Sequence, residues 1–248
     1  MKKMTVVLGL GLLAQLAAAP ADARMACNIP DATVKNVQAQ LDKVIKLADA
    51  NGGIFKPNRM WSAIVDRKGQ ICSVISIGDA WPGSRAIAIA KAGTANDFSN
   101  DGLALSTANL YAPTQPGGSL YGLNNSNPFD PAFLAQDSLP QASSSQVASV
   151  DSFPELSRNG KVPGGIITFG GGVALYDANK KVLGGLGVSG DSSCADHAIA
   201  YRMRKAAKLD NIPGGVGPGG TDNIDYAALG VAPTGFQQPH CFPSDITP

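Results

Sequence analysis

The sequence predicts an α+β domain built on an antiparallel sheet flanked by helices. Three observations carry that expectation. β-rich runs occur side by side, 60–66 with 70–77 and later 165–169, 172–177 and 181–188. Helical runs at 31–50, 84–98 and 194–208 stand outside those groups. The links at 67–69 and 177–180 are turn-sized.

Each element has a local reason. In 31–50, Val34, Val37, Leu41, Val44, Ile45 and Ala48 make one apolar stripe at helical spacing. Asp31 offers an N-cap and Gly52-Gly53 a stop. "MWSAIVD" and "QICSVISI", split by "RKG", read as a hairpin. After the break "GDAWPG", residues 84–98 form an alanine-rich helix suited to close packing on a sheet. Residues 112–163 are rich in Pro, Gly, Ser and Asn and predict a long irregular insertion. "GGIITFGGGVALYDANKKVLGGLGVSG" then supplies three strands. Ser193 with Asp196 predicts a capping box for the last helix. From about 210 to 248 the chain is an irregular Gly/Pro-rich tail.

The amino terminus has the features of a signal peptide, with Lys2 and Lys3, an apolar run from Val6 to Leu16, and Ala21-Asp22-Ala23. Cleavage is expected after Ala23, leaving 24–248 as a single domain, periplasmic or secreted. The apolar run is too short to anchor in a bilayer, so the mature chain is not expected to span a membrane. Removing 1–23 takes Lys2, Lys3 and Asp22, and 18 basic and 18 acidic residues remain. That balance argues against a nucleic-acid partner.

All four cysteines, Cys27, Cys72, Cys194 and Cys241, fall in the exported part, where an even count favours disulfides. No CxxC occurs, which argues against zinc. Four cysteines allow three pairings. Cys194–Cys241 is preferred, because a bridge there ties an otherwise loose tail to a helix start. It would close a loop of 46 intervening residues, stabilising by about 3–4 kcal/mol. Cys27, just before the first helix, can reach the hairpin strand carrying Cys72.

Several motifs fall short of a chemistry. Gly185-x-Gly187-x-x-Gly190 matches a dinucleotide fingerprint in letters, but its strand is not the first of a βαβ unit, so no NAD is expected. Ser189 lacks the second spacing of a nucleophile elbow. Asp97 to Gly102 begins like a calcium loop, yet Ala108 stands where the loop needs Glu. Cys194, Asp196 and His197 lack metal-ligand spacing, although His197 remains a candidate lone axial ligand to haem iron. The helix starts near Ser84 and Ser193 each expose N–H groups that suit a carboxylate.

Two blocks, "WSAIVDRKGQICSVISIGDAWPGSRAIAIAKAGTANDFS" (61–99) and "FGGGVALYDANKKVLGGLGVSGDSSCADHAIA" (169–200), resemble the GlcG/HbpS family, related to the PduO C-terminal domain. The family's "VVDRxG" hairpin corresponds to Ile64–Gly69 and its "KAxTAxxF" helix to Lys91–Phe98. Its "FxGGxP" corresponds to Phe169–Val173, with Val173 in place of proline. Its "GxxxGxxGVSG" corresponds to Asn179–Gly190, and its helix-opening acid to Asp196. The insertion, the cysteines and the tail depart from the pattern.

The resemblance implies a profilin-like fold, a homo-oligomer, and binding of haem or another tetrapyrrole, with haem degradation in some members. On it, a ligand would lie between the 91–98 helix and the glycine-rich sheet end. There Ser84 and Arg85 would meet propionates, Thr94 would face the groove, and His197 would ligate the iron. The alternative is a non-catalytic accessory or structural subunit of a periplasmic complex, with a small-molecule enzyme third. Whether the chain is an enzyme stays open at this point. Mass analysis of the exported protein is expected to find Arg24 at the amino terminus; a cytoplasmic chain retaining Met1 would overturn the leader reading.

Overall fold

Residues 27–55, 59–129 and 164–248 are described by a computed structural model. The expected signal peptide (1–23) and most of the insertion (130–163) lie outside the described residues. The elements are α1 (Asp31–Val44), β1 (Met60–Asp66), β2 (Ile71–Ile77), α2 (Gly83–Asp97), two one-turn helices α3 (Tyr111–Thr114) and α4 (Leu123–Ser126), β3 (Gly172–Tyr176), β4 (Val182–Ser189) and α5 (Ser193–Ala206). The strands form one sheet in the order β2-β1-β4-β3. Every pairing is antiparallel, so the fold is α+β as expected.

The glycines of β4 set the layering. A Cβ on Gly187 would lie 2.0 Å from the Ala88 carbonyl oxygen, and one on Gly185 2.0 Å from that of Ala92. The α2 backbone therefore rests directly on the sheet, as only glycine beneath and alanine above permit. Alternation along β4 turns Leu186 and Val188 to the opposite face. There α1 and α5 pack together, contributing Val37, Leu41, Ile199 and Met203 to the core. Two of the three fingerprint-like glycines, Gly185 and Gly187, are thus a helix seat.

Three expected elements differ, each for a local reason. Helix α1 stops at Val44, not at 50, because Asn51 donates its amide to the Val44 carbonyl (3.0 Å) and Arg202 clamps Asp49 and Asn51. Asp31 does not cap it; Pro30 holds the N-cap position. Residues 165–169 do not form a strand. Gly164 and Gly165 take φ of 70° and 85°, Thr94 accepts the Ile167 N–H, and Thr168 bonds Thr114 and Asn124. Those partners replace a ladder. The expected capping box does not form: Ser192, one residue earlier, is the N-cap and accepts from the Ala195 N–H, while Asp196 accepts from the Asp191 N–H before it.

Two disulfides, Cys27–Cys72 and Cys194–Cys241, join chain segments with Cα separations of 5.2 and 6.0 Å. The second adds a covalent tie to a tail also held by isolated bridges and by side-chain contacts from α5. No helix among the described residues is long and apolar enough to cross a membrane. Gly187→Ala is expected to cost about 3 kcal/mol in urea unfolding. Gly93→Ala, whose Cβ would meet nothing within 4 Å, should instead gain up to about 1 kcal/mol. Equal midpoints for the two variants would overturn the direct helix–sheet contact.

Candidate functional site

The start of α2 is shaped by Trp81-Pro82-Gly83. The Trp81 ring folds over Gly83, where a Cβ would lie 2.6 Å away, while the ring stays 66% exposed. Its carbonyl accepts from Trp61 Nε1 (2.9 Å) and from the Ser84 N–H (3.0 Å), which fixes the turn. Ser84 is buried, and its N–H is already used. Arg85 is half-buried, and its guanidinium has no hydrogen-bond or ion-pair partner among the described residues. Burial holds its pKa below the ordinary value without discharging it.

Further along α2 the expected groove is filled. Lys91 is fully buried; its Nζ donates to Asp196 Oδ2 (2.7 Å) and the Val188 carbonyl (3.1 Å), and lies 5.0 Å from the centre of the Phe169 ring. Burial lowers the Lys91 pKa and raises that of Asp196, to about 6, while each charge pulls the other back. Gly171 gives this pair its room, since a Cβ there would lie 2.6 Å from Lys91 Nζ. Thr94 does not face an open groove. It is fully buried, donates to the Ala90 carbonyl (2.8 Å) and accepts the Ile167 N–H (3.0 Å). What remains beside Gly93 is a shallow cleft of about 290 Å³, counting its open side, next to Ile89, Asp97 and Gly164.

His197 is placed differently from the expectation for an iron ligand. It has no exposed surface, and its ring stacks on Tyr201 at 5.8 Å. Nε2 sits 3.1 Å from Asn223 Oδ1 and 3.1 Å from the Ile224 nitrogen, whose N–H can instead donate to that same oxygen (2.9 Å). Nδ1 is buried without a partner. A neutral ring with the proton on Nε2 meets both conditions, because it leaves an acceptor rather than a donor unpaired. Neither ring nitrogen is exposed, and Asn223 and Ile224 cover Nε2. Of the four expected ligand contacts only Arg85 keeps exposed surface, whereas Ser84, Thr94 and His197 are buried.

Three side chains escaped the sequence reading as site builders. Arg204 is fully buried and holds Asp222 with two 2.6 Å bonds, tying α5 to the tail. Gln238, also buried, accepts the Gly170 N–H (2.7 Å) and donates to Ser193 Oγ (3.0 Å). Nothing in the local pattern around Asp222 or Gln238 signals these contacts. Lys91, by contrast, lies in the "KAxTAxxF" block and Asp196 opens the last helix, so their pairing joins the two blocks of the resemblance.

Burial holds the His197 pKa down to about 4 from 6.5. Between those values the unfolded chain binds a proton that the folded chain refuses, so this contribution to stability is lost as pH falls from about 6.5 to about 4. Asp196, raised by burial, works in the opposite direction over much of that window. The difference between wild type and His197→Asn isolates the histidine. On going from pH 7 to pH 4, wild type should lose about 3 kcal/mol relative to the variant in urea unfolding. A constant difference would overturn the buried neutral imidazole.

No curated protein matches the sequence. Among solved structures, protein ORFY of Klebsiella pneumoniae is 20% identical, covering 77% of this chain and 98% of its own at a TM-score of 0.49. A PduOC–heme complex is 24% identical, with 72% and 94% covered at a TM-score of 0.47. A double mutant of Streptomyces reticuli HbpS is 16% identical, with 78% and 94% covered at a TM-score of 0.37. The family model described as "Haem degrading protein HbpS-like" matches residues 33–204, from α1 through nearly all of α5, and the chain belongs to that family.

Proposed function

We propose that the chain is an exported protein that binds haem or a related tetrapyrrole at the surface where α2 begins. Membership in the HbpS-like family supplies the ligand class. The observation that carries the site is Arg85, a half-buried guanidinium with no partner among the described residues, two positions from the Gly83 on which the exposed Trp81 ring lies. A propionate would pair with Arg85 through charge-assisted hydrogen bonds, and the open face of Trp81 would stack on the macrocycle. The bound tetrapyrrole would supply its iron chemistry; the chain's part at this surface is to hold and orient it. His197 takes no part in this reading, because the docked tail covers it. The leader-like amino terminus and the two disulfides support export. Homo-oligomer formation belongs to the same proposal, resting on the small residues of the helices and on the family.

An accessory subunit without a ligand is the second reading. It is favoured by the sealing of Thr94 and His197 under the chain's own segments. Haem titration separates the two. The Soret band is expected to shift on binding. Arg85→Ala and Trp81→Ala should each weaken binding about tenfold, which corresponds to about 1.4 kcal/mol. His197→Ala should leave the spectrum unchanged. A spectrum that stays that of free haem overturns binding and favours the accessory reading.

A further inference from the structure

Where α5 meets the end of the tail, three ligand-type side chains converge. Cys194, Cys241 and Asp245 each offer an atom, all within 4.8 Å of one another. Donors surround the two sulfurs. The Cys194 N–H points to Cys241 Sγ at 3.2 Å, and the Cys241 N–H, shared with Asp245 Oδ2, lies 3.2 Å from Cys194 Sγ. The Gln238 amide lies 3.5 Å from Cys194 Sγ, and Ser193 Oγ 3.3 Å from Cys241 Sγ. Disulfide sulfur is a weak acceptor, so this array suits a pair of thiolates better than the bond it now surrounds.

The carboxylate is the independent observation. Asp245 has 0% side-chain exposure. Its Oδ2 accepts from the N–H groups of Cys241 (2.5 Å) and Phe242 (2.9 Å), but its Oδ1 is buried without a partner. Such an oxygen is costly to bury, and a cation beside it removes that cost. His240 Nδ1, 3.5 Å from Asp245 Oδ2, has no hydrogen bond either, and its ring is held against Tyr226 at 4.3 Å between centres. The second cluster, Cys27, Cys72 and Asp66, is a natural contrast. There both Asp66 oxygens are satisfied, by the N–H groups of Asn28, Lys68 and Gln70.

We infer that the dithiol form of Cys194 and Cys241, together with Asp245, is a binding site for a thiophilic divalent cation of the zinc class. Two thiolates and one carboxylate select zinc-like ions over magnesium or calcium. Metal–sulfur bonds of about 2.3 Å at a tetrahedral angle set the sulfurs about 3.8 Å apart. The 6.0 Å Cα separation accommodates this by side-chain rotation. The reductant is a dithiol. Its two S–H bonds and the protein S–S bond break, while one S–S bond forms in the reductant and two S–H bonds form in the protein. The cation then displaces both thiol protons to solvent as two metal–sulfur bonds form. The site lies on the tail and does not depend on the haem reading.

Cobalt(II) is the probe, added without oxygen to full-length mature protein reduced by a phosphine, with far-UV circular dichroism recorded alongside. One equivalent per chain should raise a thiolate-to-cobalt charge-transfer band that the oxidised protein lacks. Cys27→Ser/Cys72→Ser should keep the band, and Cys194→Ser/Cys241→Ser should lose it. Asp245→Asn should weaken cobalt binding at least tenfold. No band in the reduced protein would overturn the inference. So would a band indifferent to Asp245→Asn, the behaviour of thiols on an unfolded chain.

Discussion

The contact between the backbone of α2 and the backbone of β4 organises this protein. With glycine at 185 and 187, no side chain separates the helix from the central strand, and the Ala88 and Ala92 carbonyls lie over the sheet itself. Close approach on that face leaves little volume for apolar side chains. The large residues collect on the other face, where α1 and α5 cover Leu186, Val188 and Ile64. The sheet is thus lopsided, with one face in direct backbone contact and the other filled by a conventional core. Lys91 of α2 reaches past the end of β4 to pair with Asp196 at the start of α5.

That ion pair and the Arg204–Asp222 pair behave as pegs rather than as sources of stability. Buried charges cost much of what their attraction returns, so such pairs are weak evidence for net stabilisation. Their effect is positional. Each links elements distant in sequence, α2 with α5 and α5 with the tail, and neither charge has a water-exposed alternative. Losing one partner would strand the other in the interior, which is far more costly than never having placed the pair there.

Much of the fold was legible because periodicity and turn chemistry are local. The hairpin around Arg67–Gly69, the apolar stripe of α1 and the cysteine pairing all follow from short windows or simple reach. Residues 165–169 were misread because Ile166, Ile167 and Phe169 look like a strand, whereas side-chain hydroxyls of Thr94 and Thr168 satisfy the segment. The site was less legible for the same reason. Whether Thr94 and His197 face a ligand depends on what covers them, and the covers, Ile167 and Asn223–Ile224, carry no local mark of that role. Arg85 was identifiable as a cation at a helix start; its lack of a partner was not.

The Cys194–Cys241 bond also makes the last part of the chain a closed ring. Every residue from 195 to 240 lies on a loop whose ends are joined covalently. A protease that cuts once at an exposed tail position such as Leu229 or Val231 would open that ring without releasing anything. The severed strand would stay held through sulfur at one end and through Arg204–Asp222 at the other side of the cut. The nicked protein, heavier by the one water of hydrolysis, would stay in one covalent piece until a reductant reached the bond, so its integrity under proteolysis would be set by redox conditions rather than by the peptide backbone alone.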